Sequence, residues 1–191
     1  MSTILMPEPG ATTAIDDEFY EVLNGRRVEC PRMAAYPAEV ASILDQYLGP
    51  FARMHGLGKV VVETLFLLDA EADLQRRPDV AFVSSARWPF RRRSPAEGTW
   101  DVVPDLAVEV VSPTDRAEDL LGKIREYFRV GVRLVWAIYP REQVIHVFET
   151  FKTIRALTRE DELDGGGVVP GFKLPLADLF AEEEDGVAPV G

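Results

Sequence analysis

The segment Pro104-Asp105-Leu106-Ala107-Val108-Glu109-Val110-Val111-Ser112-Pro113 constrains the fold more than any other part of the chain. A short valine-rich run between prolines reads as a buried strand rather than a helix. Alternation puts Asp105, Ala107, Glu109 and Val111 on one face and Leu106, Val108 and Val110 on the other. A strand buried on both faces has no casual use for Glu109, because an unpaired buried carboxylate is costly. A partnered structural ion pair, or a strand end close to water, is the alternative to a functional acid.

What surrounds this strand must be one ordinary globular unit. A chain of 191 residues, 47% hydrophobic and 28% charged, suits one domain with a substantial core. No apolar run reaches the roughly 18 residues of a membrane span, and the N-terminus lacks a basic region followed by an apolar core. The expected location is the cytoplasm, with no membrane partner. The single Cys30 agrees with a reducing compartment, and with only His55 and His146 beside it a structural zinc site is a poor fit. A net charge of −11 argues against a general nucleic-acid coat protein. It leaves room for an enzyme with a local basic groove, or one whose metal supplies the positive charge.

Along the chain, residues 1–15 read as a loose tail. Phe19 to Leu23 and Arg26 to Cys30 form a hairpin, because Asn24-Gly25 satisfies a type I′ turn. After Pro37, the residues Val40, Ile43, Leu44, Tyr47, Leu48 and Phe51 recur at helical spacing, and Gly56 and Gly58 end the helix. Lys59 to Leu68 reads as a strand interrupted by Glu63. Pro78 to Val83 is a second strand, opening with Asp79. A long insertion then carries Trp88, Trp100 and the run Arg91-Arg92-Arg93. It is expected near a substrate path, with a solvated loop as the alternative.

Beyond Pro113, Thr114 or Asp115 can cap a helix to about Val130, with a stripe of Ala117, Leu120, Leu121, Ile124, Tyr127 and Phe128 ended by Gly131. Lys123 falls on the shoulder of that stripe, about 100° from its centre. Strands at Leu134 to Tyr139 and Gln143 to Glu149 follow, with an edge strand at Thr153 to Thr158. His146 fits a packing role. Gly165-Gly166-Gly167 is a flexible turn rather than a phosphate loop. Leu174, Leu176, Leu179 and Phe180 pack a terminal segment, and residues 181–191 form an acidic tail.

Two successive strands thus each bring an acid, Asp79 and Glu109, and a lysine follows on the next helix. If the strands are neighbours, the carboxylates can share magnesium or manganese, which prefer oxygen ligands and keep several waters. Such a metal activates water and neutralises charge on a phosphate, while Lys123 orients or deprotonates the water or binds the phosphate. Each residue has a bland alternative. Asp79 after Pro78 can cap a turn, and Lys123 can be a surface partner of Asp119 or Glu126. Jointly, the three favour an active site.

The order Tyr20-Glu21-Val22-Leu23-Asn24-Gly25, Pro78-Asp79-Val80, the proline-bounded strand, Lys123 with Tyr127, Gly131-Val132 and Trp136 resembles the Uma-two family of restriction-endonuclease-like proteins. Val169-Pro170-Gly171-Phe172-Lys173-Leu174-Pro175-Leu176 matches that family's C-terminal signature. The resemblance covers roughly residues 16–180. It implies an α/β fold of the PD-(D/E)XK nuclease superfamily: a restriction endonuclease-like mixed central sheet flanked by helices, with an N-terminal β-hairpin. It implies Asp79 and Glu109 as metal-binding acids. The superfamily lysine two residues after the glutamate is replaced here by Val111, and the family places it at Lys123.

Two departures stand out. Relatives begin the first helix with a histidine where this chain has Tyr36-Pro37-Ala38-Glu39, so Glu39 is a weak candidate for an extra acid. The strand around Trp136 ends Tyr139-Pro140 rather than Asp-Pro. The expectation is a metal-dependent DNA endonuclease using Mg2+ or Mn2+, with Asp79, Glu109 and Lys123 catalytic. A catalytically silent binding protein on the same fold, and a hydrolase acting on something other than DNA, remain as alternatives. The roles of Glu21, Glu39, Glu63 and Asp105 are open, as is the assembly state, with a homodimer among the options.

Overall fold

The computed structural model describes residues 19–181. The expected N-terminal tail, 1–15, and all but the first residue of the expected acidic tail, 181–191, lie outside the described residues. In chain order the elements are β1 (Tyr20–Leu23), β2 (Arg26–Glu29), α1 (Ala35–Met54), β3 (Gly58–Val62), β4 (Phe66–Asp69), β5 (Leu74–Arg76) and β6 (Val80–Ser84). There follow β7 (Leu106–Val110), α2 (Ala117–Val130), β8 (Leu134–Tyr139), β9 (Val144–Thr150), β10 (Thr153–Leu157), β11 (Glu162–Asp164), β12 (Lys173–Pro175) and α3 (Leu176–Leu179). The proline-bounded segment is β7, buried at all five positions.

β7 lies inside a six-stranded sheet of order β10-β9-β8-β7-β6-β3. It runs parallel to β8, and α2 makes the crossover between them. The other pairings are antiparallel. Alternation along β7 sorts its side chains into two apolar layers. Leu106, Val108 and Val110 pack with Val40, Leu44 and Leu48 of α1. Ala107 packs on the opposite side with Ile124 and Tyr127 of α2 and with Phe66 and Leu74 of a second sheet. That sheet has the order β2-β1-β5-β4 and begins with the expected hairpin. Leu23 pairs with Arg26, and Asn24 (φ 51°) and Gly25 (φ 73°) both take the positive angles of a type I′ turn.

The segment Lys59–Leu68 is not one strand. β3 pairs with β6 at the edge of the main sheet, and β4 belongs to the second sheet. The chain turns between them at Glu63, whose φ is 44° and whose N–H donates to the Asp79 carbonyl at 3.0 Å. Short β5 and the β11–β12 ladder were not anticipated, since three residues show too little alternation to register as a strand.

The helices have the expected positions, with corrections at their surfaces. Tyr47 (44% exposed) and Leu121 (44%) leave their stripes for solvent, and Ala117 is also exposed. No side chain caps α2; Asp115 instead accepts from the Ser112 N–H at 2.7 Å. Gly131 ends the helix at φ 98°, as a left-handed C-cap requires. His146 is half-buried between the rings of Tyr139 and Phe148. Among the described residues no helix is long and apolar enough to cross a membrane.

Candidate active site

The antiparallel register of β6 on β7 pairs Val80 with Val108 and Ala81 with Ala107. Continued by one residue, it sets Asp79 opposite Glu109, and directly opposed side chains share a face. Two backbone-level contacts lock this arrangement. The Asp79 N–H donates to the Val108 carbonyl at 3.0 Å, and the Val110 N–H donates to Asp79 Oδ2 at 2.6 Å. The shared face is the one covered by α2.

Lys123 descends from α2 onto that face. Its Nζ lies 3.1 Å from Glu109 Oε2 and 3.2 Å from Glu21 Oε1. Neither Asp119 nor Glu126 is its partner; Glu126 binds Arg76 at 2.6 Å. The Tyr127 hydroxyl, one turn further along α2, donates to Glu109 Oε1 at 2.5 Å. Both oxygens of Glu109 are therefore held by α2.

Glu21 is one of the four acids that sequence reasoning left without a role. It is buried on β1, and Arg76 of β5 grips its Oε2 at 2.6 Å while the Arg77 N–H donates to Oε1 at 3.0 Å. Arg76 thereby ties β1 to α2, and Lys123 ties both to β7. Glu63 joins the same cavity beside Asp79. Glu39 is exposed on α1 and lies outside it. Asp105 is also elsewhere, buried against Arg87 at 3.1 Å and the Ser84 N–H at 2.8 Å, a structural ion pair at the other end of β7.

These acids open into a cavity of about 610 Å³. No residue between Ser84 and Pro104 lines it. The insertion leaves β6 at Ser84, five residues and roughly 16 Å from Asp79 at strand spacing. Trp100 anchors it by stacking on Phe66 at 5.5 Å, and the three arginines stand in solvent. The loop expected near a substrate path therefore does not line this cavity.

Burial pushes the Asp79 carboxyl up to about 8, and the neighbouring charge of Glu109 adds to it. Burial also raises Glu109, against the opposing pull of Lys123. Burial works to raise Glu21 too, but the charges of Lys123 and Arg76 outweigh it and leave that carboxyl below its ordinary value. Burial works to release the Lys123 proton, yet Glu109 and Glu21 overcome it and hold the ammonium more firmly than usual.

The donor set fits a hard divalent cation. Asp79 and Glu109 are oxygen donors whose like charges face one another, and a cation between them would relieve that repulsion. Among the described residues no three histidine, cysteine or carboxylate side chains converge closely enough to form a full protein cage. Magnesium does not require one, since it commonly takes one or two carboxylates and fills its shell with water and substrate phosphate.

The mixed sheet with its crossover helix is a nuclease-like fold, as the comparisons with known proteins show. The chain matches, over residues 13–177, the family Uma2, described as "Putative restriction endonuclease", and it belongs to that family. No curated protein matches it. Among solved structures it is similar to a crystal structure from Anabaena variabilis described as a "putative nuclease belonging to DUF820", with TM-score 0.72 and 17% identity over 92% of this chain and 93% of that one. At that identity the likeness speaks for the fold.

Proposed function

We propose that the protein is a metal-dependent endonuclease that hydrolyses phosphodiester bonds in DNA. The observation that carries this reading is the placement of the Lys123 ammonium against Glu109, on the sheet face that Glu109 shares with Asp79. Asp79 and Glu109 would hold magnesium or manganese, which supplies an activated water and charge neutralisation at the phosphate. Asp79 is fixed at Oδ2 by the Val110 N–H, and its other oxygen would serve the metal. Glu109 is oriented by Tyr127 and Lys123. Lys123 keeps its proton between two carboxylates, so it serves as a donor to a phosphate oxygen or to the attacking water rather than as a base. Glu21, itself gripped by Arg76, helps to hold that ammonium in place.

The closed ion-pair network also favours a second reading, in which the same residues only brace the fold of a silent binding protein. One assay separates them. Supercoiled DNA should be nicked with magnesium or manganese, intact with chelator, and intact with Glu109→Gln. Equal products in all lanes, or none in any, would remove the nuclease reading.

A further inference from the structure

A third acid stands beside the two already described. The antiparallel register of β3 on β6 pairs Val61 with Ala81 and Val62 with Val80. One residue further it brings Glu63 opposite Asp79, where the Glu63 N–H donates to the Asp79 carbonyl at 3.0 Å. Asp79 in turn stands opposite Glu109, so the neighbouring strands β3, β6 and β7 bring one acid each to a single row. Strand spacing sets adjacent backbones in such a row about 4.8 Å apart. All three acids line the same cavity.

The three carboxylates are engaged very differently. Glu109 gives one oxygen to the Tyr127 hydroxyl and the other to Lys123. Asp79 Oδ2 accepts from the Val110 N–H. Among the described residues no hydrogen bond or ion pair reaches the Glu63 carboxylate; only its backbone is bound. Besides the N–H, its carbonyl accepts from Arg77 Nη1 at 2.6 Å. These two contacts hold Glu63 at φ 44°, in the left-handed region. Glycine would make the same turn without strain. A strained residue that is not glycine, beside two functional acids, points to a use for its side chain. Its charge is also felt at Asp79, where it adds to the upward push on that carboxyl.

We propose that Glu63 is the general base of the reaction, the carboxylate that receives the proton of the attacking water. This rests on the nuclease reading. Lys123 does not fill the role, because its ammonium is held between Glu109 and Glu21. Among the described residues the three acids do not close round one ion, so Glu63 acts at the distance of an intervening water. As the water oxygen bonds to phosphorus, its proton passes to Glu63 and the bond from phosphorus to the leaving ester oxygen breaks. That oxygen takes a proton from solvent water, and Glu63 returns its own to solvent before the next turnover.

The test compares Glu63→Gln and Glu63→Gly with the parent in nicking of supercoiled DNA with magnesium, in melting temperature in chelator, and in manganese binding by calorimetry. Both variants keep the two backbone bonds, and glycine relieves the positive φ, so neither should melt below the parent. Glu63→Gln should still bind manganese. At saturating DNA, nicking by both should fall roughly a hundredfold or more, the usual contribution of a general base. The DNA concentration giving half the maximal rate should not change. Formate, a carboxylate small enough for the space left in Glu63→Gly, should restore part of the activity of that variant; chloride at equal ionic strength should not. Nicking at the parent rate in either variant, loss of manganese binding in Glu63→Gln, a lowered melting temperature in Glu63→Gly, or no response of Glu63→Gly to formate would each overturn the inference. A parent that nicks nothing removes the nuclease reading and this inference with it. A parent that nicks, beside variants that nick equally well, removes the inference alone.

Discussion

Lys123 serves two carboxylates at once, and substitutions can tell which service matters. With Lys123→Met, Glu21 keeps Arg76 and Glu109 keeps the Tyr127 hydroxyl, so the fold should persist. Cleavage should fall by roughly a hundredfold to a thousandfold, the usual cost of one preorganised donor. Lys123→Arg keeps the charge but changes its shape, so it should preserve thermal stability while restoring little cleavage. Full activity in the methionine variant would reduce Lys123 to a brace.

Asp79 makes a second residue-level prediction, through pH. Its carboxyl titrates near 8 in the folded protein against an ordinary 3.8, so the shift is upward. The native state then binds the extra proton, and stability falls as pH rises from about 4 to about 8 and levels off beyond. Asp79→Asn removes the penalty, and its side-chain oxygen can still accept from Val110. In chelator, its melting-temperature advantage over the parent should widen across that window. A constant gap at every pH would show that the carboxyl is not perturbed. Of the residues singled out in advance, Glu109 interrupts an apolar strand, Asp79 opens one, and Lys123 stands on the shoulder of an apolar helical stripe. Glu21 also interrupts an apolar run, Phe19 to Leu23, but its meaning depends on Arg76, 55 positions away, which no local pattern reports.

At the scale of elements, legibility followed turn chemistry. Asn24-Gly25 and Gly131 dictated their turns because positive φ angles suit few other residues. The split of Lys59–Leu68 was not legible because Glu63 takes its positive φ without glycine's help, held by its bond to Asp79. That bond joins positions 16 residues apart, so no local pattern reports it. Gly131 supports a prediction here. No atom lies within 4 Å of where its Cβ would be, so Gly131→Ala meets only backbone strain. The cost should be about 1–2 kcal/mol in denaturant unfolding, with an unchanged m-value. A cost near zero would mean that the α2 terminus relaxes into another cap.

For the whole molecule, the site is a junction. The main sheet supplies Asp79 and Glu109, the smaller sheet Glu21 and Arg76, and α2 the lysine between them. The sequence order of strands and helices predicted the mixed sheet, because buried strands and amphipathic helices announce themselves locally. It could not show that the hairpin belongs to a separate sheet meeting α2, since that depends on ion pairs between distant segments. A cation bound at the junction stabilises the fold by mass action, about 2.7 kcal/mol at a concentration one hundred times Kd. Manganese should raise the melting temperature of the parent and leave that of Asp79→Asn unmoved. A rise in both would place the ion elsewhere.

The two sheets differ most at their extremes, since β7 is buried throughout and β2 is exposed at every position. Amide protons of Leu106 to Val110 should exchange with deuterium only when the entire protein unfolds, whereas those of the outer hairpin strand can exchange through local opening. Because Val28 and Glu29 border the cavity, a polymer held at its mouth should slow exchange in β2 and leave β7 unchanged. Deuterium uptake along one four-residue strand would thus act as an occupancy meter for the cavity, readable even in a variant that has lost all catalysis.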